Sequence, residues 1–223
     1  MGAVIGDILP FALGIAISPI PIIAAILMLL SPKARVTSVG FLLGWLIGII
    51  VAVTVFTLVA GILPEDAGDE AQPIKGTIQL VLGALLFLLA FRRWRGRPKG
   101  DEEAPLPGWM KAIDKISFIG AFGLGFLLSA LNPKNLIMAA GAGVDIGSAG
   151  LESGAIVLVV AIFVVLAAST VLVPVVGYLL AADRLTGPLD SLRTWLTKEN
   201  SVIMAVLLLV FAFNLIGKGI GSF

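Results

Sequence analysis

The stretch LLSALNPKNLIMAAGAG, residues 127–143, carries Asn-Pro-Lys-Asn at positions 132–135, in the middle of a long apolar run. Proline removes a backbone hydrogen bond from a helix, so the run predicts a helix that breaks here and starts again. A lysine at the centre of a membrane span costs about 2.5–3.5 kcal/mol even on a lenient scale. The stretch therefore indicates a special role for Lys134, either in binding or in structure.

The composition is that of an integral membrane protein. Of the 223 residues, 59% are hydrophobic and 13% are charged, against about 25% charged residues in soluble domains. A net charge of +1 implies no nucleic-acid partner. The chain has no cysteine and no histidine, which removes thiolate chemistry and the commonest metal ligand. We therefore expect no metal site and no cofactor.

Six apolar stretches are long enough to cross a bilayer, which takes about 20 residues. They lie at roughly 3–30, 35–63, 74–94, 116–146, 150–181 and 200–220. The first, third and fifth loops between them hold twelve lysines and arginines, whereas the opposite side holds only Lys75 and Lys218. Because basic loops stay in the cytoplasm, we predict a prokaryotic inner-membrane protein with both termini outside and the loop 92–115 in the cytoplasm. The first stretch has no basic leader, so it is expected to be a span and not a cleaved signal peptide.

The spans fall into two groups of three. We predict a first repeat over residues 1–94, a linker over 95–115 and a second repeat over 116–223. At an offset of 114 residues, Pro19 aligns with Pro133, and both lie in overlong spans. An odd number of spans in each half makes the repeats inverted, which is a transporter architecture. The predicted fold is an all-α membrane protein of six transmembrane helices in two inverted three-helix repeats, with broken first and fourth helices; the alternative is two unrelated proline kinks.

The two breaks share a sequence pattern. Ser18-Pro19 and Asn132-Pro133 each place an N-capping residue before a proline, and proline is favoured at the first position of a helix. Each pair therefore predicts the start of a new half-helix inside the membrane. Helix starts attract anions, so two facing starts and one ammonium predict an anion site. The alternative is that Lys134 bonds carbonyls freed by Pro133 and only stabilises the break.

Small residues form a ridge at Gly40, Gly44 and Gly48 on the second span. Such a ridge allows close helix packing, and it predicts either a homodimer face or a contact within the chain. No aspartate or glutamate is expected near the middle of a span, so any coupling to ions would use Lys134, backbone carbonyls or the membrane potential. Other polar residues in the spans, such as Ser129 and Thr170, are expected mainly to join helices.

Residues 18–35, SPIPIIAAILMLLSPKAR, and residues 131–143, LNPKNLIMAAGAG, resemble the lysine-exporter (LysE) superfamily. Within it they are similar to the GAP branch, the glycolipid-addressing or Sap-type proteins. The resemblance covers essentially the whole chain and implies export of envelope glycolipids or lipid-linked intermediates. It also implies a central substrate site lined by Ser18, Pro19, Pro21, Asn132, Pro133, Lys134 and Asn135.

The favoured function is a transporter for an anionic substrate, most of all an envelope lipid with a phosphate or sulfate headgroup. Its expected partners are membrane lipids. Two alternatives are an exporter of small solutes such as amino acids or ions, and a non-transporting subunit of a larger export machine. An enzyme is not expected, because the spans hold no serine–histidine pair and no aspartate pair; a lysine-activated serine has no supporting motif.

Overall fold

The computed structural model describes residues 1–62, 73–96, 113 and 115–223. Within these residues every regular element is an α-helix and no strand occurs. The helices are α1 (Gly2–Ala16), α2 (Pro19–Leu29), α3 (Ala34–Gly61), α4 (Pro73–Arg95), α5 (Phe118–Ala130), α6 (Pro133–Gly147) and α7 (Ser153–Ile220). Most of the predicted loop 92–115 and of the linker 95–115 lies outside the described residues.

Four helical segments are long and apolar enough to cross a membrane alone. They are α3, α4 and the two arms of α7, Ser153–Ala182 and Arg184–Ile220. The arms meet at Ala181, whose backbone is not helical. The bent pair α1–α2 adds a fifth candidate span, with an angle of 53° between its halves. The chain is therefore a multi-pass, all-helical membrane protein, while the arrangement as a six-helix inverted repeat stays a prediction.

Both predicted breaks are present in the backbone. The helix α1 ends at Ala16 and α2 begins at Pro19, and α5 ends at Ala130 and α6 begins at Pro133. The helix α5 has only 13 residues, or about 20 Å, so it cannot cross the hydrocarbon by itself.

The short helix α2 is buried on nearly all sides. It is apolar all round, as expected for a helix surrounded by others, and it packs against α3 and α7. The half-helices α1 and α6 pack against each other, and α1 also packs against α7. The first 96 residues and the last 109 therefore share one core instead of forming separate bodies, since α3 packs on α5 and α4 packs on α7.

The glycine ridge of α3 faces α5 of the same chain. A side chain at Gly40 would meet the backbone oxygen of Phe118 at 2.8 Å, and side chains at Gly44 and Gly48 would meet Phe122 and Ser129. Of the two predicted uses of this ridge, the structure contains the internal contact. The homodimer stays a prediction, and it would have to use another surface.

The helix α6 ends at Gly147, one residue beyond the predicted end of the fourth apolar stretch at 146. The turn that follows uses Gly150, whose φ of +59° is unfavourable for residues with a side chain. The last turns of α6 keep Asp145 inside the bundle, with 5% of its surface exposed. The expectation of spans without a buried acid is therefore wrong at one position near a helix end.

Candidate functional site

The first break leaves a carbonyl oxygen free at the end of α1. In a continuous helix the amide of Ser18 would bond the oxygen of Gly14. Here the amide of Ser18 donates to the oxygen of Ala16 at 2.9 Å instead, and Pro19 has no amide proton to offer. The oxygen of Gly14 is thus turned inward without its helical partner.

The second break is closed by side chains from the first turn of α6. The side chain of Asn132 caps the helix, because its oxygen accepts a bond of 3.1 Å from the amide of Lys134. The side-chain amide of Asn135 donates to the oxygen of Leu128 at 3.0 Å, which is the carbonyl that the amide of Asn132 would serve in an unbroken helix. The predicted cap at Asn132 is therefore confirmed. Ser18 lies at the equivalent position before α2, but its side chain makes no capping bond.

Lys134 joins the two breaks. Its ammonium donates to the backbone oxygen of Gly14 and to the hydroxyl of Ser18. The hydroxyl of Ser18 in turn donates to the side-chain oxygen of Asn135 at 3.4 Å. The three side chains are almost fully buried, with 2% of Ser18, 3% of Lys134 and 1% of Asn135 exposed. The network formed by Gly14, Ser18, Lys134 and Asn135 is called the break network below.

The ammonium of Lys134 is stabilised by a carbonyl and a hydroxyl, and no carboxylate among the described residues bonds it. One acceptor, the oxygen of Gly14, lies at the carboxyl end of α1, which carries about half a negative charge; the other, the hydroxyl of Ser18, precedes α2. An ammonium has three donors, and two of them have partners here. The carbonyl that Lys134 bonds is one freed by the first break. In this respect the alternative reading was wrong, since it assigned Lys134 to carbonyls freed by Pro133.

Thr170 contributes a further hydrogen bond, which agrees with the expectation that it joins helices. Its hydroxyl donates to the oxygen of Ala16 at 2.5 Å, so α7 also closes the end of α1. A threonine within an apolar helix gives no sign of its partner, which lies far away in the sequence.

The predicted site residues do not all come together. Ser18, Lys134 and Asn135 form the break network. Pro19 and Pro21 are buried within α2 and begin that helix without donating a bond. Asn132 is half-buried, and Pro133 is exposed at the start of α6.

A second polar cluster lies where the ends of α1, α4, α6 and α7 meet. Lys218 contacts the carboxylates of Asp145 at 2.8 Å and Asp7 at 3.0 Å. The side-chain amide of Gln79 donates to Asp145 at 3.0 Å, and Lys75 approaches the same carboxylate at 3.9 Å. These five residues are called the end cluster. The sequence pointed only to Lys75 and Lys218, and it treated them as loop charges.

The described residues hold no group of three or more histidine, cysteine, aspartate or glutamate side chains suited to a metal ion. The polar chemistry of both clusters is instead that of ammonium groups, amides, hydroxyls and isolated carboxylates.

A family model described as Sap, sulfolipid-1-addressing protein, matches residues 8–221 of the chain. The match includes both breaks, the break network and the end cluster apart from Asp7. No curated protein and no solved structure matches the chain at a significant level.

Proposed function

Because the chain belongs to the family of Sap, sulfolipid-1-addressing proteins, we propose that it is a transporter that moves an anionic envelope lipid across the membrane. Its substrate carries a phosphate or sulfate headgroup. The proposal includes the wider relation to the LysE superfamily, the six-span inverted repeat and an inner-membrane location with both termini outside. The family name supports a role in addressing or export of lipids, and the headgroup charge is inferred from the break network.

The break network is the observation that carries the proposal. Lys134 is a buried cation without a carboxylate partner among the described residues, and its bonds go to one carbonyl and one hydroxyl. Both are neutral acceptors. A phosphate or sulfate oxygen attracts an ammonium more strongly than either, because its negative charge adds a Coulomb attraction that a neutral acceptor lacks. An arriving headgroup can therefore exchange with these bonds at the junction of the two breaks.

The surroundings of the network suit a lipid. Ile17 and Leu131 stand next to the two breaks and are 40% and 60% exposed, whereas Ser18 and Lys134, close to them in the chain, are buried. A lipid needs a site that its headgroup reaches while its acyl chains remain in the bilayer. Exposed apolar residues next to the two breaks would let acyl chains stay in the bilayer while the headgroup approaches the buried cation.

The test is mass spectrometry of the lipids that copurify with the wild type, with Lys134→Met and with Lys33→Met. Methionine keeps the length of the lysine side chain and removes its charge. Lys33 is an exposed lysine before α3, so it is a control for the loss of one positive charge. We expect one class of anionic lipid to be enriched on the wild type and on Lys33→Met, and to fall at least 10-fold on Lys134→Met.

Equal lipid profiles for all three proteins would contradict the proposal. A transport assay in vesicles then separates the two alternatives. Export of a small anion that needs Lys134 supports a solute exporter. Undisturbed export by Lys134→Met in cells supports an accessory subunit, in which the lysine only stabilises the breaks.

A further inference from the structure

The break network and the end cluster lie at the two ends of one seam between α1 and α6. Along α1, a spacing of four and three residues connects Asp7, Phe11 and Gly14, and Ser18 follows just after the helix ends. On α6, the positions Lys134, Met138, Gly141 and Asp145 have the same spacing. Two such stripes that face each other produce a continuous contact along both helices.

The contacts along this seam come in three layers. At the breaks, Lys134 bonds Gly14 and Ser18. In the middle, the space beside Gly14 is taken by Met138 and the space beside Gly141 by the ring of Phe11, at 2.7 Å and 2.8 Å from where a side chain would begin.

The third layer is the end cluster, in which Lys218 lies between Asp7 and Asp145. The ammonium of Lys218 also lies 5.3 Å from the centre of the Phe11 ring, so the middle and outer layers touch. From the breaks outward, the three layers of the seam are therefore polar, apolar and charged.

The length of the seam is close to half of a membrane. From Lys134 to Asp145 the helix α6 rises by about 16 Å, and half of the hydrocarbon thickness is about 15 Å. A seam of this length would reach from the middle of the bilayer to the surface on which residues 7 and 218 meet. Phe11 and Met138 are completely buried, so the seam is shut.

We propose that the seam between α1 and α6 is the closed half of the substrate pathway, with Phe11 and Met138 as its plug and the Asp145–Lys218 pair as its outer latch. The inference rests on the proposed function. It adds a route for the anionic headgroup from Lys134 toward the end cluster. Lys218 and the half-exposed Lys75 are the cations that the headgroup would meet when the latch opens.

Breaking the Asp145–Lys218 pair costs free energy, which is expected of a gate that stays closed without substrate. Lys218 and Lys75 are 22% and 26% exposed in their side chains, whereas Asp145 is 4% exposed. Removing one partner of such a partly buried pair strongly destabilises the protein, because the other charge is left unpaired in apolar surroundings. An anionic headgroup can replace Asp145 as the partner of Lys218, which offsets the cost of opening.

Labelling of a single cysteine tests whether the seam is a closed pathway. The chain has no cysteine of its own, so Ser18→Cys provides one thiol at the inner end of the seam. Sealed vesicles are selected in which a membrane-impermeant thiol reagent labels Gly2→Cys but not Lys33→Cys. This selection ensures that the reagent is on the side of the end cluster.

In the Ser18→Cys background we expect slow labelling, and a rate at least 10-fold higher after Phe11→Ala or Asp145→Asn. Phe163→Ala is the control, because Phe163 is another fully buried phenylalanine and its removal also creates a cavity. Unchanged rates with Phe11→Ala and Asp145→Asn would overturn the proposal. So would an equal increase with Phe163→Ala, which would indicate general loosening.

A cross-link provides a test that does not depend on a large cavity. A Phe11→Cys/Gly141→Cys pair is treated with a short thiol cross-linker and then with a reductant. Transport of the anionic lipid is expected to stop on cross-linking and to return on reduction; continued transport by the cross-linked protein would overturn the pathway. Labelling needs no substrate, so it can succeed or fail independently of the proposed lipid transport.

Discussion

At the scale of single residues, the buried lysine is held by groups of the other half of the chain. The sequence predicted both breaks and drew attention to Lys134, because a capping residue before a proline and a charge within an apolar stretch are easily seen. It did not predict Gly14 as the partner. A carbonyl oxygen is present at every position, and which one lacks its donor depends on the local path of the backbone around Ser18.

We expect Ser18→Ala to destabilise the protein by about 1–3 kcal/mol, because Lys134 loses one of its two buried acceptors. The measurement is thermal unfolding in detergent. Ser38→Ala is the matched control: Ser38 is fully buried, and its hydroxyl has no hydrogen-bond partner among the described residues. A loss of stability in Ser38→Ala as large as in Ser18→Ala would show that the Ser18 bond contributes nothing of its own.

Thr170→Val is expected to cost about 0.5–1.5 kcal/mol, since it removes the bond to Ala16 and keeps the shape of the side chain. Thr57→Val is its control, because the hydroxyl of Thr57 is buried and lacks a partner in the described part of the chain. Both variants are compared by chemical denaturation in mixed micelles. If Thr170→Val is as stable as the wild type, the bond between α7 and α1 does not hold the break.

At the scale of elements, the close approach of α3 to α5 brings the two halves together. The sequence predicted the ridge on α3, since its small residues recur every four positions. The facing helix α5 carries a matching row of small buried residues at the same spacing, Ala121, Gly125 and Ser129, but this row was not recognised in the sequence. The end of α6 at Gly147 lies one residue beyond the predicted end of its apolar stretch at 146.

Gly44→Ala is expected to reduce stability strongly, because the added methyl group would overlap the backbone of Phe122 and force the helices apart. Gly123→Ala is the same change on α5 at a position where nothing lies within 4 Å of the new atom. There alanine should be neutral or should stabilise by up to about 1 kcal/mol through helix propensity. Similar melting temperatures for the two variants would refute the α3–α5 contact.

At the scale of the whole molecule, neither half of the chain contains a complete polar cluster. The break network and the end cluster both take residues from each half. The sequence predicted six spans, whereas the described residues hold four helices, or five spans with the bent pair α1–α2, that are long and apolar enough to cross a membrane. Hydropathy reports the length of an apolar stretch but not whether a break divides it, as between α5 and α6. The sequence could not predict the end cluster, since Asp7, Asp145 and Lys218 are brought together only by the folded bundle.

We expect the two halves, residues 1–94 and 95–223, to assemble when they are produced as separate chains in one cell. Affinity purification of a tag on the first half should recover the second. The variant Lys134→Met in the second half should lower the recovery, because it removes the bonds to Gly14 and Ser18. Efficient recovery of a stable second half expressed alone would contradict the mutual dependence of the halves.

The bond from Lys134 to Gly14 has a consequence for how the chain enters the membrane. Synthesis proceeds from the amino terminus, so α1 and the free carbonyl at its end are made before the lysine leaves the ribosome. A lysine inserted on its own would meet the full cost of an ammonium in hydrocarbon. The acceptors made first lower that cost at the moment of insertion. The early helices thus provide hydrogen-bond acceptors for a later segment that would insert poorly into lipid alone.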